Sequence, residues 1–181
     1  FNGGTTMYSD TETDLIQFAS TGAFQDDPDG WNDTKPTTTL WSIGTKSHHN
    51  TDGAACIAYC FAEVKGFSKF GFYSGTGNVA GTKVYCGFKP KWLMFKKWDA
   101  TEEWAVKVSG LTGYGLGGQR TRTLKFVDTT TATNCTIQFE SNGFRLATTD
   151  GKANGEDSKY IYMAFAEMPM VGSNGIIALA T

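Results

Sequence analysis

No stretch of this chain carries apolar residues at the three- and four-residue spacing that buries one face of a helix. Short runs rich in β-branched and aromatic residues alternate instead with turn clusters: DDPDGWND, SGTGNVAG, GYGLGGQ, ESNG and DGKANGED. Side chains along a strand point alternately to its two faces, so runs of this length between such turns are the material of antiparallel sheets. The pattern predicts an all-β fold, a sandwich or a barrel.

The faces can be read within the runs. In TIQFE, Ile137 and Phe139 point inward while Thr136, Gln138 and Glu140 point out. In CIAYCFA, Ile57, Tyr59 and Phe61 share one face, and Cys56, Ala58, Cys60 and Ala62 share the other. Both faces are apolar, which predicts a central strand covered on both sides. YIYMAFA repeats the arrangement, with Ile161, Met163 and Phe165 opposite Tyr160, Tyr162, Ala164 and Ala166. WLMFKKW starts the same way until its lysines, Lys96 and Lys97, turn it outward.

Two of these runs nearly coincide. CIAYCFAEV, from Cys56, and YIYMAFAEM, from Tyr160, share Ile, Phe, Ala and Glu in the same places. The same offset sets Asn50 on Asn154 and Thr45 on Thr149, within the polar segments TKSHHNTDGAA and TDGKANGEDSK. Buried strands draw on few residue types and sometimes coincide by chance, but the aligned Asn and the similar turns argue for one unit used twice. Residues 66–168 then form a complete β-sandwich repeat, residues 1–65 the C-terminal part of a first repeat, and residues 169–181 a C-terminal tail. The early strands of the first repeat are not encoded in 1–65. They must come from another segment, a neighbouring chain or the second unit.

Composition narrows the function. Hydrophobic residues make 40% and charged residues 19%, with Lys and Arg scattered and a net charge of -2. No basic stripe for nucleic acid is present. The longest apolar runs fall well short of the roughly 20 residues that cross a bilayer, so no membrane insertion is expected. No signal peptide is visible, and Phe1 in place of Met suggests a fragment or a processed product. Cys56 and Cys60 on one strand would lie roughly 13 Å apart, too far for a disulfide. With Cys86 and Cys135 they read as small buried hydrophobes of a protein folded in a reducing cytosol.

Catalytic patterns are missing from the sequence. There is no Gly-x-Ser-x-Gly elbow and no HExxH, and the adjacent His48 and His49 would point to opposite faces of a strand. GYGLGGQR has no helix after it to bind an anion and reads as a loop. Glu63 and Glu167 end their runs at equivalent places. A lysine or hydrogen-bond partner is the plain reading, and a glycosidase pair the sharper one. Glu102 and Glu103 read as solvated turn residues. Trp92, Trp98 and Trp104 belong to the core or an interface before they belong to a sugar site.

The most site-like stretch is FQDDPDGWNDT. Asp26, Asp27, Asp29, Trp31, Asn32 and Asp33 are the candidate ligand-binding residues. Calcium, which takes six to eight oxygens, would be held by Asp27, Asp29 and Asp33, with a sugar stacked on Trp31. An exposed Asp-rich turn is the plainer reading, without metal or cofactor.

AYCFAEVKGFSKFGFYSGTG, VYCGFKPKWLMFKKWD, Trp104, FESNGFRL and YIYMAFAEMP together resemble a repeat domain of tailed-bacteriophage virion proteins, found in tail-fibre-like and structural proteins of marine and cyanobacterial phages. In that family a strand ending in Phe-Ala-Glu closes one unit and a Gly-Phe-x-Pro segment leads into the next, as at Gly87-Phe88-Lys89-Pro90. The closing MPMVGSNGIIALAT resembles the endings of such chains. The likeness covers most of residues 55 to 168; residues 1–54 match poorly. It implies a jelly-roll or concanavalin-A-like sandwich and a non-enzymatic virion component: tail fibre, head fibre or capsid decoration. Such a protein folds in the bacterial host cytoplasm, associates with itself or other virion proteins, and attaches to the host surface. The alternative is a lectin-like module that binds a host-surface glycan, as part of a glycan depolymerase or alone.

Overall fold

The computed structural model of the chain describes residues 13–18, 20–47, 49–109, 119–120, 124–125 and 135–168. β1 (Asp14–Leu15) and β2 (Gln25–Asp26) precede a single helical turn, α1 (Pro28–Trp31). Then come β3 (Ser68–Ser74), β4 (Lys83–Tyr85), β5 (Pro90–Lys97), β6 (Ala105–Val108), β7 (Gln119–Arg120) and β8 (Leu124–Lys125). β9 (Ile137–Glu140), β10 (Gly143–Leu146), the turn α2 (Gly151–Asn154) and β11 (Lys159–Ala166) complete the order.

A five-stranded sheet runs β3-β11-β5-β6-β8 and a four-stranded one β4-β10-β9-β7, with β1-β2 apart. Every pairing is antiparallel. The inner faces of the two larger sheets share one core, which makes the antiparallel β-sandwich that the sequence predicts.

Alternation along β11 explains the layering. Tyr160, Tyr162 and Ala164 face the core with Leu93 and Phe95 of β5, against Val84, Ile137, Phe144 and Leu146 of the other sheet. Tyr73 stacks on Tyr160 with centroids 4.8 Å apart. Ile161 and Met163 belong to a second apolar cluster with Trp92, Met94, Trp104, Val106, Val108 and Ile16. Residues 13–18 and 20–24 strap the sheet on that side: Phe18 stacks on Trp104 at 4.6 Å and Phe24 on Trp98 at 4.1 Å. The tryptophans of the sheet are packing residues here.

The sequence reading needs correction at Cys56–Ala62. This run forms no strand, and all of residues 51–65 are exposed. Ile57 is 80% accessible, Tyr59 79% and Phe61 60%, whereas β11 lies between β3 and β5. Apolar alternation specifies a strand only when another element supplies its hydrogen bonds. The other aligned pair differs likewise: Asn154 is fully buried, and Asn50 is exposed with its amide donating to the Gly44 carbonyl. Cys56 and Cys60 are exposed free thiols, while Cys86 and Cys135 are buried. A thiol reagent is therefore expected to titrate Cys56 and Cys60 in the native chain, and the other two only after denaturation.

The lysine-rich end of β5 also departs from expectation. Lys96 is fully buried beneath the strap, its ammonium donating to the Thr21 and Glu102 carbonyls. Lys107 is fully buried on the core side and donates to the Cys135 carbonyl at 2.6 Å. The long stems supply packing while backbone carbonyls accept from the heads. Glu63 and Glu167 each have a lysine, Lys69 and Lys89, both at 2.5 Å. The Lys89 ammonium, helped by the Ser109 hydroxyl, holds the Glu167 carboxyl below its usual range. The GYGLGG run and the tail after Met168 lie outside the described residues. Among the described residues no helix is long and apolar enough to cross a membrane.

Burial pulls the Lys107 ammonium down to about 8 from its ordinary 10.5. Between those values the unfolded chain binds more protons than the native one, so this group adds stability as pH rises. Relative to Lys107→Met, the wild type is expected to gain roughly 1 kcal/mol between about pH 8 and 9, read from urea midpoints. The thiols of Cys86 and Cys135, pushed up to about 12 by burial, oppose the trend above pH 9 in both chains. The difference between the two chains is therefore the diagnostic quantity.

Candidate functional site

The acidic turn folds as a capped helical turn. Asp27 is the N-cap, its Oδ1 accepting from the Asp29 backbone N–H at 3.1 Å, and Pro28 opens the turn. These are the residues that satisfy orphan donors at a helix start. Asn32 ends it in the left-handed region at φ 57, with Asp33 next at φ 46. The backbone of 44–46 lies directly along the turn: Gly44 N–H donates to the Gly30 carbonyl at 2.9 Å, and Lys46 N–H to Asp29 at 3.1 Å. A Cβ on residue 44 would come within 1.9 Å of the Asp29 carbonyl oxygen, so only glycine fits.

This close approach sets the fate of the carboxylates. The Lys46 ammonium pairs with Asp27 Oδ2 and holds its carboxyl below the usual range. Asp26 pairs with Asp14 in the β1-β2 ladder. Among the described residues no group of three or more His, Cys, Asp or Glu gathers to hold a metal, Asp27, Asp29 and Asp33 included. Of this cluster, Asp27 serves as the cap and as the partner of Lys46.

Trp31 is the member of the predicted set that takes part in a concave feature. Its indole N–H donates to the Asp14 carbonyl at 3.0 Å, fixing the ring. His49 stacks on it at 5.2 Å and is itself fixed by a 2.7 Å bond to the Gly30 carbonyl, so Nε2 is the donating nitrogen. Trp41 meets Trp31 edge-on at 6.0 Å. Together with Thr34, Ser42 and Tyr59 they line an open cleft of about 440 Å³, one wall of which is the exposed 57–60 run. The arrangement offers aromatic faces with a few hydroxyls, and the Cys60 thiol lines the same cleft. Trp41, His49 and Tyr59 are the residues sequence reasoning missed as partners of Trp31. All three lie in the long irregular connection between α1 and β3, and no spacing signals their meeting.

A family model described as a domain of unknown function, DUF7483, matches residues 5–169. The chain belongs to this family. No curated protein and no solved structure matches it. The DUF7483 span takes in both the α1 turn and the whole sandwich, so the cleft lies within the family domain.

Proposed function

We propose that this DUF7483 chain is a non-enzymatic structural module of a bacteriophage virion, in a tail fibre, head fibre or capsid decoration. It works by packing against other subunits and presenting loops to a host surface. The observation that carries the reading is the exposed apolar run Ile57, Tyr59 and Phe61 beside the sandwich. A lone globular domain has little reason to leave such a run bare, and an assembly subunit does. The likeness of the FAE and GFKP segments to virion repeat domains supports the same reading. Repetition on a particle would multiply weak individual contacts. Labelling purified particles with an antibody to this chain tests it. Regular decoration of head or tail is expected; recovery only from the soluble host fraction would overturn it.

The cleft favours a second reading, a lectin-like module. Exposed aromatic faces beside hydroxyls suit the apolar faces of sugar rings. Glycan-array binding that is lost in Trp31→Ala and Trp41→Ala would move the assignment to that class.

A further inference from the structure

Residues 55–61 make no backbone hydrogen bond among the described residues, although both ends of the run are fixed. On one side Ala54 N–H closes a turn onto Thr51. On the other, Ser68 Oγ donates to the Ala62 carbonyl and Val64 bridges to Ser68. Phe61 leans on Phe70 and Phe165 at 6.5 and 6.0 Å. A row of N–H and C=O groups without backbone partners among the described residues, with apolar side chains, is a template for another strand.

The run also specifies what kind of strand. From Cys56 to Ala62, small and large side chains alternate strictly, with Tyr59 at the centre. Laid antiparallel on itself about Tyr59, it opposes Ile57 to Phe61 and Ala58 to Cys60, large to large and small to small. Aromatic and β-branched residues directly opposite one another are favourable cross-strand pairs. At that end sits Glu63, ion-paired with Lys69 of its own chain. Antiparallel pairing sends the two glutamates to opposite ends, where parallel pairing would set them side by side. Ile57, Phe61 and Ala62 further match Ile161, Phe165 and Ala166, which sit in a strand paired on both edges.

We propose that Cys56–Ala62 pairs antiparallel with the same segment of a second copy of this chain, about a two-fold axis through Tyr59, to form a homodimer. An interface of this kind is self-complementary and closes on itself. The inference rests on the segment and not on a virion location. A dimer absent from particles leaves it standing, and a particle-bound monomer leaves only the functional reading.

Sedimentation of the full chain from low to high micromolar concentration is expected to show a shift from the chain mass to twice that mass. Directly opposed strand residues lie within disulfide reach. In a Cys56→Ser background, Ala58→Cys is therefore expected to give an oxidised covalent dimer through Cys60 of the second copy, whereas Ala62→Cys gives none. Tyr59→Asp, which sets two like charges at the axis, is expected to abolish the dimer without lowering the thermal midpoint of the dilute, monomeric chain. Three results would overturn the proposal: a monomer at every concentration, a dimer indifferent to Tyr59→Asp, or a mass gain that needs a different protein.

Discussion

Phe144→Ala is expected to lower the unfolding free energy by about 3–5 kcal/mol, the usual cost of removing a fully buried phenyl ring. Phe144 is completely inaccessible in β10 and pairs with Val84 of β4 and Phe139 of β9. Its ring reaches across the core to the other sheet, edge-on to Tyr162 at 5.3 Å and to Tyr73 at 6.0 Å. Truncation therefore opens a void between two sheets whose backbones are held by their own ladders and cannot collapse to fill it. Urea denaturation checks this, with Val79→Ala, at a 65% exposed site, expected to change stability by no more than about 0.5 kcal/mol. Similar midpoints for the two variants would mean that Phe144 does not join the sheets.

Asn154→Ala is expected to cost about 3 kcal/mol or more, from polar groups rather than from volume. The fully buried Asn154 side chain uses both ends of its amide. Oδ1 accepts from the Thr76 N–H at 2.8 Å, and Nδ2 donates to the carbonyls of Asn78 and Thr148 at 2.8 and 2.7 Å. Residues 75–82 carry the chain from β3 in one sheet to β4 in the other, so this amide clamps the crossing onto α2. The approach is tight, since a Cβ at Gly75 would come within 2.1 Å of the Gly155 carbonyl oxygen. Alanine removes all three bonds, the one to the buried Thr148 carbonyl without replacement by solvent. Asn154→Asp keeps the acceptor but turns an oxygen toward two carbonyls, so at neutral pH it is expected to rescue little. Thermal melts of both variants decide; full rescue by Asp would show that only the Thr76 contact matters.

The sandwich was legible because period-two alternation reports which side of a sheet is wet. TIQFE and YIYMAFA gave their faces correctly: Ile137 is fully buried, and Tyr160 and Ala164 point into the core. The same rule misled at CIAYCFA, because alternation records what a strand would bury and not whether its partners lie in this chain. It misled at Lys96 as well. A lysine can bury its stem and hand its protons to carbonyls, here those of Thr21 and Glu102, which nothing in WLMFKKW announces. The acidic stretch reads as an exposed turn; that Asp27 caps a helical turn and pairs with Lys46, far along the chain, was not legible. Glu63 and Glu167 both found lysines, although only Glu167 follows a strand.

Hydrogen exchange followed by mass spectrometry, on the full chain at a dilute and a concentrated setting, puts the central claim to the most direct test. Amides of β11 from Tyr160 to Ala164 should be protected at both settings, and those of Ile57 to Phe61 only when the chain is concentrated. Protection of Ile57 to Phe61 in the dilute chain, or none at either concentration, would contradict an assembly strand left bare by a self-sufficient sandwich.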